Sequence, residues 1–224
     1  MALNFTEFFK QYESIVSLAD DLFDKVKESH PDCVKCKTKC SDCCYALFDL
    51  SLIEALYINH KFKEILDSEK RVRLEEKANT ADREVFKLKK KAYDNLKSGQ
   101  SEDEILKELA TKKIRCPLLN EKDQCELYEF RPITCRLYGI PFSIGGIGHT
   151  CGKSGFEEGV KYPTVNMEAI QNKLFAISDE VAKSVNSKYA KLSELLMPVS
   201  MSLLTEFNKE FLGVTDINKS LKEE

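Results

Sequence analysis

The nine cysteines, and where they fall, constrain this chain more than any other feature of its sequence. Five lie within twelve residues, in the pattern C-x2-C-x3-C-x2-C-C, and the other four lie together in a later segment. No cysteine lies in the 71 residues between the two groups or after Cys151. Cysteines used for core packing would be scattered along apolar helix faces, since a free thiol behaves as a small hydrophobe. All nine are therefore predicted to be metal ligands: Cys33, Cys36, Cys40, Cys43, Cys44, Cys116, Cys125, Cys135 and Cys151.

The spacing of the first group is typical of thiolate ligands for soft or borderline metals, each of which takes about four. C-x-x-C is the shortest spacing at which two thiolates reach one metal without straining the chain. Two such pairs stand in tandem, Cys33–Cys36 and Cys40–Cys43. Neighbouring side chains in extended backbone point to opposite sides, so Cys43 and Cys44 are able to serve two different metals or clusters. Nine thiols suffice for two four-ligand sites, with one cysteine left over.

The identity of the metal stays open at this point. The sequence contains neither the bacterial nor the plant-type ferredoxin run of cysteines. Zinc sites often recruit histidine, and the chain has only three histidines against nine cysteines. This excess of sulfur favours one or two iron–sulfur clusters, of the 4Fe-4S type, with zinc as the alternative. A metal-free thiol–disulfide function is the third interpretation.

Three arginines are predicted to help bind the cofactor, because they lie beside cysteines of the second group. Arg115 precedes one cysteine, and Arg131 and Arg136 flank another. A cluster held by four thiolates carries excess negative charge, which nearby cations stabilise while raising its reduction potential. The alternative is that these arginines form ordinary surface salt bridges.

Apolar residues recur at helical spacing in most of the chain outside the cysteine segments. A further helix is predicted from about residue 193, with a kink at Pro198. Between residues 114 and 163 the density of proline and glycine disfavours long helices and favours irregular loops. The predicted helices span about residues 3–28, 52–66, 67–97, 101–112, 167–185 and 193–212.

These elements predict a mainly α fold. Residues 1–224 are expected to form a single helical domain that brackets two cysteine-rich irregular loops, 30–50 and 114–155, which together bind metal. A charged helical insert occupies residues 60–113, and C-terminal helices occupy residues 165–212.

Charge and hydropathy limit the expected partners. The formal net charge is −3, which gives no sign of a general polyanion-binding surface, so nucleic acid is not expected as a partner. No signal-peptide pattern and no apolar run near 18 residues is visible, so a membrane is not expected either. The expected compartment is the cytoplasm, where clustered cysteines indicate metal or redox chemistry more often than disulfides. A redox or protein partner is expected, of a kind that the sequence does not specify.

Two blocks of the sequence resemble a known family. Cys36, Cys40, Cys43 and Cys44, followed by Y-A-L-F-D-L-S-L-I-E at residues 45–54, are similar to the first block of the CxxCxxCC family, the YkgJ-type cysteine-cluster proteins described as zinc- or iron-chelating. The second block, C-P-L-L, C-E-L-Y and R-P-I-T-C-R-L-Y at residues 116–119, 125–128 and 131–138, resembles that family as well. Three residues separate Cys36 from Cys40 where the family commonly has two. Cys33 and Cys36 are therefore both candidates for the first position.

The resemblance implies metal chelation, often labelled iron–sulfur oxidoreductase, and a related cysteine cluster occurs in flagellin lysine N-methylases. Three hypotheses follow. The first is an iron–sulfur protein that acts in electron transfer, as an accessory protein or as an oxidoreductase. The second is a zinc-organised helical protein-interaction module, and the third is an iron-dependent protein-modifying enzyme related to the lysine N-methylases. Whether the chain is an enzyme is left open.

Overall fold

Helices dominate the architecture, as the mainly α prediction requires. The computed structural model describes residues 3–37 and 39–215. Its described helices are α1 (Thr6–Ser29), α2 (Leu52–Ile65), α3 (Ser68–Lys97), α4 (Glu102–Ala110), α5 (Ile133–Leu137), α6 (Met167–Ser184) and α7 (Val199–Leu204). The short strands are β1 (Asp49–Ser51), β2 (Phe142–Ile144), β3 (Ile147–His149), β4 (Val165–Asn166) and β5 (Leu196–Pro198). Single 3₁₀ turns span Asp42–Tyr45, Tyr128–Phe130 and Leu192–Glu194.

The predicted helix starts coincide with side-chain caps. The Asp67 carboxylate accepts the Lys70 amide at 2.8 Å at the start of α3. The Ser101 hydroxyl accepts the amide of Glu104 at 3.3 Å, while the Glu104 carboxylate accepts the Ser101 amide, and together they form a capping box at the start of α4. In the described part of the chain, no helix combines the length and the apolar character that a bilayer crossing requires.

Helix α2 is the centre of the fold, since it is buried on almost every side. One face packs with α1, α5 and α6 in a core that includes Ile53 and Leu56. The opposite face packs with α3, α7 and the second cysteine segment in a core that includes Ile58 and Phe62. Both cysteine segments therefore attach to the same central helix.

Two small sheets tie distant parts of the chain together. Strand β1, which leads directly into α2, pairs antiparallel with β5 in the register Leu50↔Met197. Strands β2 and β3 form an antiparallel hairpin, and β4 joins β2 in parallel. The hairpin turns at Gly145 and Gly146, whose φ angles of 60° and 76° are readily adopted by glycine.

The predicted helix over residues 193–212 is wrong in extent. The structure has the strand β5 followed by the six-residue helix α7, and Thr205 is already extended, with φ −80° and ψ 130°. Pro198 lacks an amide hydrogen and disfavours helical geometry in the residue before it, so the helix begins only after this proline. Pairing with β1 buries Met197 completely, which the helical pattern alone did not reveal.

Candidate metal centre

The two cysteine segments lie side by side, joined by main-chain hydrogen bonds. The Cys116 amide donates to the carbonyl of Cys44 at 2.7 Å, which links the two groups directly. At the other end, the Gly155 amide donates to the Cys33 carbonyl at 2.8 Å. Segments separated by 71 residues in the sequence thus form one structural unit.

Cysteines from both segments line two adjoining cavities. An open cleft of about 950 Å³ is bordered by charged side chains and by seven cysteines: Cys36, Cys40, Cys43, Cys44, Cys125, Cys135 and Cys151. A small, mainly apolar cavity of about 60 Å³ is bordered by five: Cys43, Cys44, Cys116, Cys125 and Cys135. Eight of the nine predicted ligands therefore surround the two cavities. Cys33 borders neither, although its carbonyl helps to join the segments.

Tight turns position the first group. The Cys40 amide donates to the Lys37 carbonyl at 2.9 Å, and Lys39 adopts the left-handed conformation with φ 67°. The 3₁₀ turn Asp42–Tyr45 then carries Cys43 and Cys44, and the Cys44 amide donates to Ser41 at 2.9 Å. The spacing of the first block therefore reflects two successive turns that bring its thiols to the cavities.

A short reversal of the chain positions Cys116 and Cys125. Glu126 donates its amide to the Leu118 carbonyl at 2.8 Å, and Leu119 forms a bridge with Cys125. Leu118 is buried in the core that includes one face of α2, and this packing holds the reversal in place.

Cys135 lies on α5, and the buried carboxylate of Glu54 fixes where this helix begins. One Glu54 oxygen accepts the Ser51 amide at 3.1 Å and the Ser51 hydroxyl at 3.0 Å. The other accepts the Ile133 amide at 3.1 Å, at the first residue of α5. Burial raises the pKa of this carboxyl. Glu54 thus completes a capping box at the start of α2 and also attaches α5, which carries Cys135, through a contact with a residue 79 positions away in the sequence.

Close packing and an acidic neighbour position the outermost thiols. Gly139 has no room for a side chain, because the Cys36 sulfur occupies the place that a Cβ would take. The buried Cys151 thiol donates to Asp42 at 3.5 Å, and Asp42 also pairs with Lys153 at 3.3 Å. Asp42 is not among the predicted site residues, although its position inside the Cys40–Cys43 pair is a signal that the sequence offers.

Protons are shared within the cysteine group. Hydrogen bonds with Cys135 and Cys44 hold the pKa of Cys43 well below its ordinary value, and the pKa values of those two partners are raised. Burial raises the pKa of Cys116 to about 12 and that of Cys125 to about 11. Since metals bind thiolates, metal uptake here must release protons.

Of the three arginines, Arg131 is the one whose charge acts on the thiols. It borders both cavities and contributes to lowering the pKa of Cys43, after the hydrogen bonds that this thiolate receives. Its guanidinium also stacks on the ring of Tyr128, 3.6 Å from the centroid. From this position, the Arg131 guanidinium would offset the negative charge of a thiolate-bound group in either cavity.

The other two arginines are engaged mainly in structural contacts. Arg115 binds the carbonyl of Asn120 at 2.8 Å and the Tyr45 hydroxyl at 3.1 Å, so it fastens the reversal to the first segment. Arg136 is 8% exposed and pairs with Asp20 of α1 at 2.7 Å. Their predicted cofactor-binding role stays a prediction.

The thiols are spread along the cavity walls rather than gathered at one point. Within residues 3–37 and 39–215, no three or more Cys, His, Asp or Glu side chains form a ready-made set for one metal ion. None of the three histidines, all of which the structure describes, borders either cavity. The candidate ligands at these cavities are therefore thiols and the carboxylates of the cleft, such as Asp42, with no imidazole among them.

Comparison with protein families gives one match and defines its extent. Residues 35–152, more than half of the chain, match the CxxCxxCC family, whose description reads "Putative zinc- or iron-chelating domain". No curated protein and no solved structure matches the chain significantly. The matched segment contains the eight cysteines at the cavities and leaves out Cys33. The chain therefore belongs to the CxxCxxCC family and carries that family's zinc- or iron-chelating domain.

Proposed function

We propose that this protein binds one or two iron–sulfur clusters through the eight cysteines that border the two cavities. It would act in electron transfer, as an accessory protein or as an oxidoreductase. One observation carries the proposal: eight cysteines from two distant segments border the same pair of adjoining cavities. Seven of these cysteines border the larger cleft, which is also lined by charged side chains, so their convergence is not explained by the burial of apolar surface alone.

Three features support iron–sulfur clusters as the bound group. The cavities offer eight thiols and no histidine, and thiolates are the usual ligands of such clusters. The eight thiols come from two segments and line two adjoining cavities, an arrangement that can enclose a group of several atoms. Arg131 adds a positive charge beside Cys43, where it would offset the charge of a thiolate-bound cluster and raise its potential.

The chemistry of the cluster would be electron transfer, and the role of the protein would be to hold and tune it. Among the thiols of the cleft, Cys36 is exposed to solvent. Lysines and carboxylates at the rim offer a mixed-charge surface to a partner.

Zinc is the second candidate, because the family description names zinc beside iron. A four-thiolate zinc site is tetrahedral and contributes directly to folding. With zinc, the same centre would be structural, and the protein would be a zinc-organised helical interaction module.

Anaerobic purification followed by metal and sulfide analysis separates the two candidates. Iron–sulfur protein is expected to be brown, with absorbance at about 400 nm and roughly equal amounts of iron and acid-labile sulfide. Colourless protein with stoichiometric zinc would support the second candidate. Protein that contains neither metal, and takes up neither after reduction of its thiols, would contradict metal chelation by this centre.

A further inference from the structure

We propose that one exposed face of α3 is the docking face for an acidic redox protein. This docking face consists of Phe86, Lys90, Tyr93 and Lys97. The inference rests on the proposed function and deepens it, because it supplies the kind of partner with which a cluster in the cysteine centre would exchange electrons.

Helical spacing places the four residues of the docking face on one side of α3. They follow one another at intervals of four, three and four residues, so each is a neighbour of the next on the helix surface. Together they extend about 16 Å along the helix axis. A different side of the helix packs on the rest of the protein, through the buried residues Leu74, Ala78, Ala81 and Val85.

Both aromatic rings of the docking face are open to solvent. Phe86 is 66% exposed and Tyr93 is 55% exposed. The Lys97 ammonium lies over the Tyr93 ring, 4.5 Å from its centroid. Lysines near the end of a helix complement its dipole, but that role requires no exposed aromatic ring. Since aromatic side chains are the usual anchors of protein–protein interfaces, the combination favours contact with a protein.

The charge of this part of α3 indicates the chemistry of the partner. Residues 86–97 contain five lysines and one aspartate, in a chain whose formal net charge is −3. Neither Lys90 nor Lys97 forms an ion pair with a carboxylate of the described residues, whereas three other cations of α3 do: Arg73, Lys77 and Lys89. A surface rich in carboxylates would complement the two unpaired ammonium groups, so we expect an acidic partner.

Helix α3 separates the docking face from the cysteines. Ala81 and Val85 line the small apolar cavity together with five cysteines, and the next residue, Phe86, belongs to the docking face. An α-helix with its side chains is about 10 Å wide. A partner docked here would therefore lie about one helix diameter from the cavity. Electron transfer weakens steeply with distance, so this position suits electron exchange with a bound cluster.

The size of the docking face favours a transient partner over a second copy of this chain. Four residues along about 16 Å of helix cannot bury the area of a stable dimer interface. Redox proteins that meet briefly bury less, below about 1,200 Å² in total.

Plant-type ferredoxin, a small acidic one-electron carrier, is a suitable probe for the anaerobically purified protein. Anisotropy of fluorescently labelled ferredoxin measures docking, and stopped-flow absorbance measures electron transfer to the cluster. Wild-type protein is expected to bind ferredoxin, with a rate of electron transfer that falls as salt is added. Lys90→Glu combined with Lys97→Glu should lower that rate by roughly 10- to 100-fold at low salt.

Lys87→Glu combined with Lys91→Glu is the matched control. It makes the same change in charge on the same helix, but the two lysines lie outside the docking face. The rate should change by less than about 3-fold, because the direct contacts with the partner are kept. Equal losses from the two lysine pairs would show a general effect of charge and would overturn the docking face.

Phe86→Ser tests the aromatic part of the docking face. Loss of an interface anchor should weaken binding of ferredoxin by about 5-fold or more. The matched control is Leu106→Ser on α4, where the side chain is 62% exposed, and it should leave binding unchanged. Both positions lie on the surface, so both variants are expected to fold.

The remaining outcomes distinguish the docking face from the proposed function. Absence of ferredoxin binding to cluster-bearing protein would overturn the docking face and leave the cluster in place. Binding of phosphatidylserine vesicles or single-stranded RNA instead, lost on changing Lys90 and Lys97, would also overturn it, in favour of another class of partner. Protein without iron and sulfide would overturn the proposed function, whereas anisotropy would still test the docking face.

Discussion

Replacing Glu54 with alanine is expected to lower the free energy of unfolding by roughly 3–5 kcal/mol, because it leaves three buried donors without an acceptor. These donors are the amide and the hydroxyl of Ser51 and the amide of Ile133. The affinity for metal should fall as well, by roughly 10- to 100-fold, since α5 and its Cys135 would lose their attachment to the start of α2. Urea denaturation and competitive metal titration measure the two effects.

Glu54→Gln is the matched control, since an amide oxygen can still accept at one of the two carboxylate positions. It should cost roughly 1–2 kcal/mol, less than alanine. Burial raises the pKa of Glu54 above its ordinary 4.5, so ionisation costs more in the folded state than in the unfolded state. The stability of wild type relative to Glu54→Gln should therefore fall as the pH rises from about 4.5 through the raised value. Equal unfolding midpoints for wild type and Glu54→Ala would show that this carboxylate does not join the segments.

Arg136→Ala is expected to lower the free energy of unfolding by roughly 3 kcal/mol, somewhat less than the full cost of breaking a buried ion pair because Asp20 is half exposed. The guanidinium connects α5 to Asp20 of α1 and also donates to the carbonyls of Arg131 and Glu129. Without it, the helix that carries Cys135 loses its attachment to α1. Thermal and urea denaturation are the appropriate measurements.

Arg136→Lys separates charge from geometry. A single ammonium group keeps the charge but cannot reach the carboxylate and both carbonyls together, so this variant should recover less than half of the loss. Asp20→Asn keeps an acceptor and should cost only about 1 kcal/mol. If the lysine variant were as stable as wild type, the charge alone would matter and the forked contacts would not.

Local sequence signals predicted the long helices well because their causes are local. Apolar spacing specifies α1, α3 and α6, side-chain caps mark the starts of α3 and α6, and the capping box at Ser51 and Glu54 marks the start of α2. Clustering of the cysteines likewise predicted metal ligation, and the family comparison supports zinc or iron chelation.

Contacts between distant segments could not be predicted in this way. The pairing of β1 with β5 joins Leu50 to Met197, and nothing near either strand indicates the other. The same holds for the Glu54 contact with Ile133, which spans 79 residues. Helix α5, at five residues, is too short to give a periodic pattern, so its role in carrying Cys135 became visible only in the structure. The exclusion of Cys33 from the cavities was hidden for a similar reason, because its C-x2-C spacing matches that of the cysteines that border them.

Thiols from both cysteine segments are proposed to bind metal in one shared centre. Alkylation of folded, metal-loaded protein, followed by peptide mass spectrometry, tests it most directly. The eight cysteines that border the two cavities should be protected, whereas Cys33 should react readily. Removal of the metal should increase the reactivity of the eight and leave that of Cys33 unchanged. Protection confined to one segment, or a pattern that is the same with and without metal, would contradict the shared centre.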